Sequence, residues 1–160
     1  MVVDSMPMGD VNVIYKERSM YGMQYIGGQQ IFRFYRLPGD FGLLCKGAVA
    51  ATPLGHVVLA AGDLVLHSGQ GPTSLLNARM RRNLFNTIDG TNFKRSFVVA
   101  NLRRNEVYVC YPSSGSATCN QALVWNYKDD TVGVRDMPNA TYGATGLVRY
   151  TAASTWNSDT

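Results

Sequence analysis

The chain reads as an all-β protein of antiparallel, blade-like units, about three of them four-stranded or partial, with one inserted α-helix at about residues 73–88. Three observations carry this reading. Runs that alternate apolar and polar residues recur along most of the chain, each closed by Gly, Pro, Asn or Asp. Sixteen Gly and nine Tyr beside only 16% charged residues form the composition of strands and tight turns, not of long surface helices. A single stretch, Pro72 to Gly90, changes from a period of two to a period near four. At 160 residues the chain suits one domain with a real core and is short for two.

Residues 1–10 read as a loose lead-in. Val11, Val13 and Tyr15 then alternate with polar neighbours as a first strand, and Met20 to Ile26 forms a second, closed by Gly27 and Gly28. In Ile31 to Leu37, Phe32 and Phe34 share one face while Arg33 and Tyr35 share the other, and Pro38-Gly39-Asp40 stops the run. These three strands have the spacing of a meander. Gly42 to Ala51 is small and apolar and reads as a buried strand. His56 to His67 is a hairpin around Ala61-Gly62-Asp63, since Gly and Asp suit the left-handed backbone of such turns.

For the helix, Thr73 or Ser74 is the expected cap behind Pro72. Leu76, Met80, Leu84 and Ile88 form its apolar stripe, Asn83 is a weak point, and Asp89-Gly90 ends it. Ser96 to Ala100 and Glu106 to Tyr111 pair across a polar loop, and Asn120 to Tyr127 pairs with Thr131 to Arg135 across Lys128-Asp129-Asp130. Four such strands in about 40 residues match one propeller blade. Pro138 closes that unit, Gly143 to Thr151 begins another strand, and 152–160 reads as a loose tail. A chain that stops as a new unit starts suggests a piece of a longer repeat protein.

Composition narrows function mainly by exclusion. No apolar run approaches the roughly 18 residues of a spanning helix. The N-terminal MVVDSMPMGD has no basic-then-apolar leader pattern, so Cys45, Cys110 and Cys119 are expected as reduced thiols of a protein made in a cytoplasm. Cys110 and Cys119 flank a Pro-Ser-Ser-Gly-Ser loop and are the one pair placed to approach each other across a hairpin. His56 and His67 fall near opposite ends of paired strands, and two histidines without a third ligand make a poor metal site. The acidic residues sit at turns and element ends, where they have structural uses, and Ser68 beside His67 points to the opposite face of its strand. No catalytic, metal or cofactor-binding residues are therefore assigned.

The net charge of +4 is uneven. Residues 73–105 hold seven basic side chains against Asp89, a local balance of +6 that leaves −2 for the rest. No aromatic residues interleave with these charges in a stacking pattern, so direct nucleic-acid binding is not expected. Arg79, Arg82, Arg103 and Arg104, with Trp156 near the C-terminus, are the candidate protein-interface residues. The low charged fraction also fits a surface that partly meets other protein.

The succession VVLAAGDLVLHSGQ, SLLNARMRRNLFNTID, FVVANLRRNEVYVCYP and ALVWNYKDDTVGVRDMPNAT resembles the β-propeller-like region of tail-nozzle, or tail tubular, proteins of short-tailed bacteriophages. The likeness spans roughly residues 31–147. It implies a non-enzymatic structural role in the virion tail, in tail assembly and the path of genome ejection. Implied partners are other tail proteins (adaptor, tail fibre or spike) and further copies of the chain, in a homo-oligomer that could form a ring. The chain is much shorter than those proteins, so it is expected to be a fragment or shortened relative, made in the bacterial host cytoplasm. Two other readings are a host-surface or glycan-recognition module that uses the tyrosines and Trp156, and a glycan-degrading tail enzyme.

Overall fold

A computed structural model of the chain describes residues 1–146 and bears out the all-β class. Twelve strands form three four-stranded antiparallel sheets, each a meander in sequence order. The first holds β1 (Val2–Met8), β2 (Val11–Lys16), β3 (Met20–Tyr25) and β4 (Phe32–Arg36); the second holds β5 (Val49–Thr52), β6 (Gly55–Ala60), β7 (Asp63–His67) and β8 (Pro72–Ser74). The third holds β9 (Phe97–Asn101), β10 (Glu106–Tyr111), β11 (Cys119–Asn126) and β12 (Thr131–Ala140). The helix α1 (Ala78–Thr87) joins the second sheet to the third. The first strand of each sheet neighbours that of the next, with β5 touching both β1 and β9, so the sheets stand as an open row of blades. Among the described residues no helix is long and apolar enough to cross a membrane.

The core fills the two gaps between successive sheets. Val13, Tyr15 and Met20 from the first sheet, Val57 to Leu59 and Leu64 from the second, and Val107, Val109, Leu123 and Trp125 from the third belong to one buried cluster. Alternation along β10 and β11 sends one set of side chains to that core and the other to the third sheet's outer face.

Several elements differ from the sequence reading. The expected lead-in is β1, which pairs with β2 and sends Val3, Met6 and Met8 to the core. A register shift between Val2 and Asp4 breaks its alternation, and Pro7 is tolerated because β1 is an edge strand. Within Gly42 to Ala51 only the end is strand. Residues 42–48 form a buried brace in which Leu43 N–H donates to Lys16 O and Leu44 N–H to Leu59 O. A Cβ at Gly42 would lie 2.0 Å from Lys16 O, so no other residue fits there. The helix starts five residues later than its expected 73, because Pro72–Ser74 is taken by β8 and Asn77 provides the cap, its Oδ1 accepting Met80 N–H at 2.9 Å. Leu76 is buried ahead of the helix, and α1 runs through Asn83 unbroken.

At the other end β12 extends past the expected Arg135 to Ala140; Pro138 fits inside it because it too is an edge strand. Residues 143–146 form no strand, and the remainder of the expected strand to Thr151, the tail at 152–160 and Trp156 lie outside the described residues.

Candidate functional site

The basic stretch of the sequence does not fold into one patch. Arg79 and Arg82 are exposed on α1 beside Asn77, Met80 and Asn83. Arg103 and Arg104 occupy the turn between β9 and β10. The C-terminal end of α1 is tied to the other end of β10, where Asp89 N–H donates to Pro112 O and Ser114 N–H to Thr87 O. The length of β10, about 20 Å for six residues, therefore separates Arg103 and Arg104 from the C-terminal end of the helix that carries Arg79 and Arg82. Arg81 plays another part: it donates to Ser74 Oγ at 3.0 Å and its Nε lies 3.1 Å from Asp63 Oδ1, a charge contact poorly angled for a hydrogen bond that anchors the helix to β7.

The outer face of the first sheet is the most conspicuous apolar surface. Cross-strand pairing sets Met23 against Phe34 and Tyr25 against Phe32, so these side chains share one face as the IFRFYRL alternation predicts. Tyr25 is 69% exposed, Phe34 60% and Phe32 47%, and Ile26 and Ile31 extend the patch around the turn. The Tyr25 and Phe32 rings meet edge to face at 5.9 Å. On the opposite face Gly22 makes room for the Tyr35 ring, which a Cβ there would approach to 2.7 Å.

A pocket of about 640 Å³ opens where the three sheets begin. Its walls come from β1 (Asp4), the brace (Lys46, Gly47), the turn before β9 (Lys94, Arg95, Ser96), Phe97, and the segments around Thr118 and Ala140 to Tyr142. Hydrogen bonds hold it together. Gly47 N–H donates to Asp4 Oδ2 at 3.0 Å, Val98 N–H to Gly47 O at 2.9 Å, and Arg95 Nη1 to Ala117 O. The Cys45 thiol donates to Ser96 O at 3.1 Å and the Cys119 thiol to Arg95 O at 3.2 Å. Burial is the first cause raising all three thiols, Cys45 and Cys119 to about 11 and Cys110 to about 12. All three are free, and the protonated form suits the donor role of Cys45 and Cys119.

His56 and His67 face each other at one register position of β6 and β7 and do not lie at opposite ends, because the tight turn at Gly62 sets the pairing. Pro7 O lies 2.9 Å from His56 Nε2 and can only accept, so Nε2 carries the proton and Nδ1 accepts from Tyr15 Oη at 2.7 Å. This bridge joins the first sheet to the second. Burial is the main cause holding both histidines below their ordinary 6.5, with His56 adding to the effect on His67. Among the described residues no group of three or more His, Cys, Asp and Glu side chains is placed to hold a metal ion.

The sequence reading found the face shared by Phe32 and Phe34 but assigned it no role, and it missed the pocket. No family model matches the chain, and no curated protein matches it either.

Proposed function

We propose that the chain is a non-enzymatic structural subunit of a bacteriophage virion tail, of the nozzle or tail-tube region, that works by associating with copies of itself and with other tail proteins. The observation that carries the assembly part is the bare aromatic face of the first sheet: patches of this kind mark interaction sites far more often than they mark idle surface. The bacteriophage part rests on the resemblance. Its quoted pieces fall on the β6–β7 hairpin, α1, the β9–β10 hairpin and the β11–β12 hairpin.

The occupant of the aromatic face is a second copy of this chain. Within the molecule each sheet already packs against a neighbour of its own kind, and the third sheet's outer face is covered by the chain's own Tyr142 and Gly143. Head-to-tail stacking of first face on third face is thereby blocked, which leaves a self-complementary two-fold pairing. Arg36, on the same face, is paired with Asp40 at 2.8 Å, which removes one like charge from a two-fold contact. A ring would need a further contact.

Mass spectrometry and antibody-gold labelling of virions of the encoding phage test the tail assignment. The chain is expected in the particle with gold at the tail; a chain made during infection but missing from purified particles refutes it.

A further inference from the structure

We infer that the pocket where the three sheets begin binds a tetrahedral oxyanion, a phosphate or sulfate ester, carried on a ring that stacks against Tyr142. Lys46, Lys94 and Arg95 line the pocket, and none of the three forms an ion pair with another described residue. The one acidic residue of the lining, Asp4, already accepts from two backbone amides, Ser5 N–H on Oδ1 and Gly47 N–H on Oδ2. The lining therefore carries three positive charges and one negative, a surplus of +2 that suits a dianion.

The donors also outnumber what a carboxylate can take. Arg95 uses one N–H on Ala117 O and keeps the rest of its five, while each lysine offers three. A tetrahedral oxyanion presents at least three acceptor oxygens where a carboxylate presents two. A further observation is independent of charge. Ser96, one of the wall residues, is 1% exposed, and its Oγ has no hydrogen-bond partner among the described residues. A buried hydroxyl left unpaired is destabilising unless something else satisfies it, and a rotation about χ1 that turns Oγ out to a bound oxyanion would.

The ring follows from the aromatic wall. Phe97 closes the back at 4% exposure, while Tyr142 is 76% exposed with its ring centroid 6.0 Å from that of Phe97, leaving a flat face bare at the pocket. The cations come from separate segments, Lys46 ahead of β5 and Lys94 with Arg95 ahead of β9, so the same ligand would brace the second sheet to the third and raise stability by mass action.

The test is calorimetric titration and thermal unfolding of the full chain in a phosphate-free, low-salt buffer. Inorganic phosphate and sulfate should bind saturably and raise the midpoint, and acetate at equal ionic strength should do neither. Lys46→Gln with Lys94→Gln should weaken binding at least tenfold, whereas Arg103→Gln with Arg104→Gln at the far end should leave it unchanged. Ser96→Ala should raise the ligand-free midpoint while lowering affinity; a lowered midpoint would show that Oγ has an internal partner and would remove it from the site. A nucleoside 5′-monophosphate and a sulfated monosaccharide separate the two sources. The tighter of the two names the source, and its advantage over the inorganic ion should vanish in Tyr142→Ala. No saturable binding, or unchanged binding in the double lysine variant, overturns the site. Ring ligands that bind no better than the inorganic ion overturn the stacking.

Discussion

The first and third sheets present outer faces that are alike in construction and opposite in fate. On the third, Phe97, Cys110, Cys119 and Ala122 are buried under Met137, Ala140 and the segment at Tyr142 and Gly143. On the first, Tyr25, Phe32 and Phe34 have none of the described residues above them. Both follow from period-two alternation, which gives every strand two faces. What differs is cover: among the described residues the row supplies an apolar neighbour for each inner face, and the segment at Tyr142 and Gly143 covers the third sheet's outer face but not the first's. An outer face that keeps large aromatics without cover is best explained by association.

The largest expected effect lies on the covered face. Phe97→Ala should destabilise by about 3–5 kcal/mol in chemical denaturation, as the loss of a buried ring with a cavity left behind. A change of less than about 1 kcal/mol would mean that the cover is loose, and the contrast between the faces would fail.

Next comes the first sheet's inner face. His56→Ala removes the acceptor of Tyr15 and the donor to Pro7, and should cost about 2–4 kcal/mol because both partners are left buried and unpaired. Restoration by no single polar residue is expected, since only imidazole spans the two partners in this geometry.

A smaller effect is set by pH. The folded chain holds His56 and His67 neutral below their ordinary 6.5, so the unfolded chain binds more protons as pH falls through that value. Stability contributed by the two residues is complete above 6.5 and declines below it, by at most about 1.4 kcal/mol per pH unit per histidine. Urea midpoints at about pH 8 and pH 5 should show the loss, and His56→Gln should reduce it. An acid limb identical in wild type and variant would remove His56 from the account.

The smallest effect on stability belongs to the bare face. Phe34→Ser should leave the monomer within about 0.5 kcal/mol of wild type. A loss as large as that of Phe97→Ala would show that Phe34 is packed within its own chain after all.

Much of this architecture was legible in the residues. The Ala61-Gly62-Asp63 turn, the strands at Glu106 to Tyr111 and Asn120 to Tyr127, and the shared face of Phe32 and Phe34 follow from local turn chemistry and alternation. The brace at 42–48 was not legible: its small apolar composition looks like a buried strand, and only the close approach of Gly42 to Lys16 O shows otherwise. Strand β1 was hidden by its register shift and by Pro7. Among candidate interface residues, Arg79, Arg82, Arg103 and Arg104 are close in sequence, yet the β9–β10 hairpin carries the second pair to the far end. The pocket was illegible for the converse reason. Asp4, Lys46, Lys94, Thr118 and Tyr142 come from separate segments, so no spacing along the chain announces them.

Sedimentation velocity of the wild-type chain and the Phe32→Ser, Phe34→Ser double variant, over a wide concentration range, tests the central claim that the first sheet's outer face pairs with its counterpart on a second copy. Wild type should pass from monomer to dimer with rising concentration, while the double variant keeps its fold and remains monomeric. A wild-type chain that stays monomeric throughout, or a double variant that associates equally well, contradicts the claim.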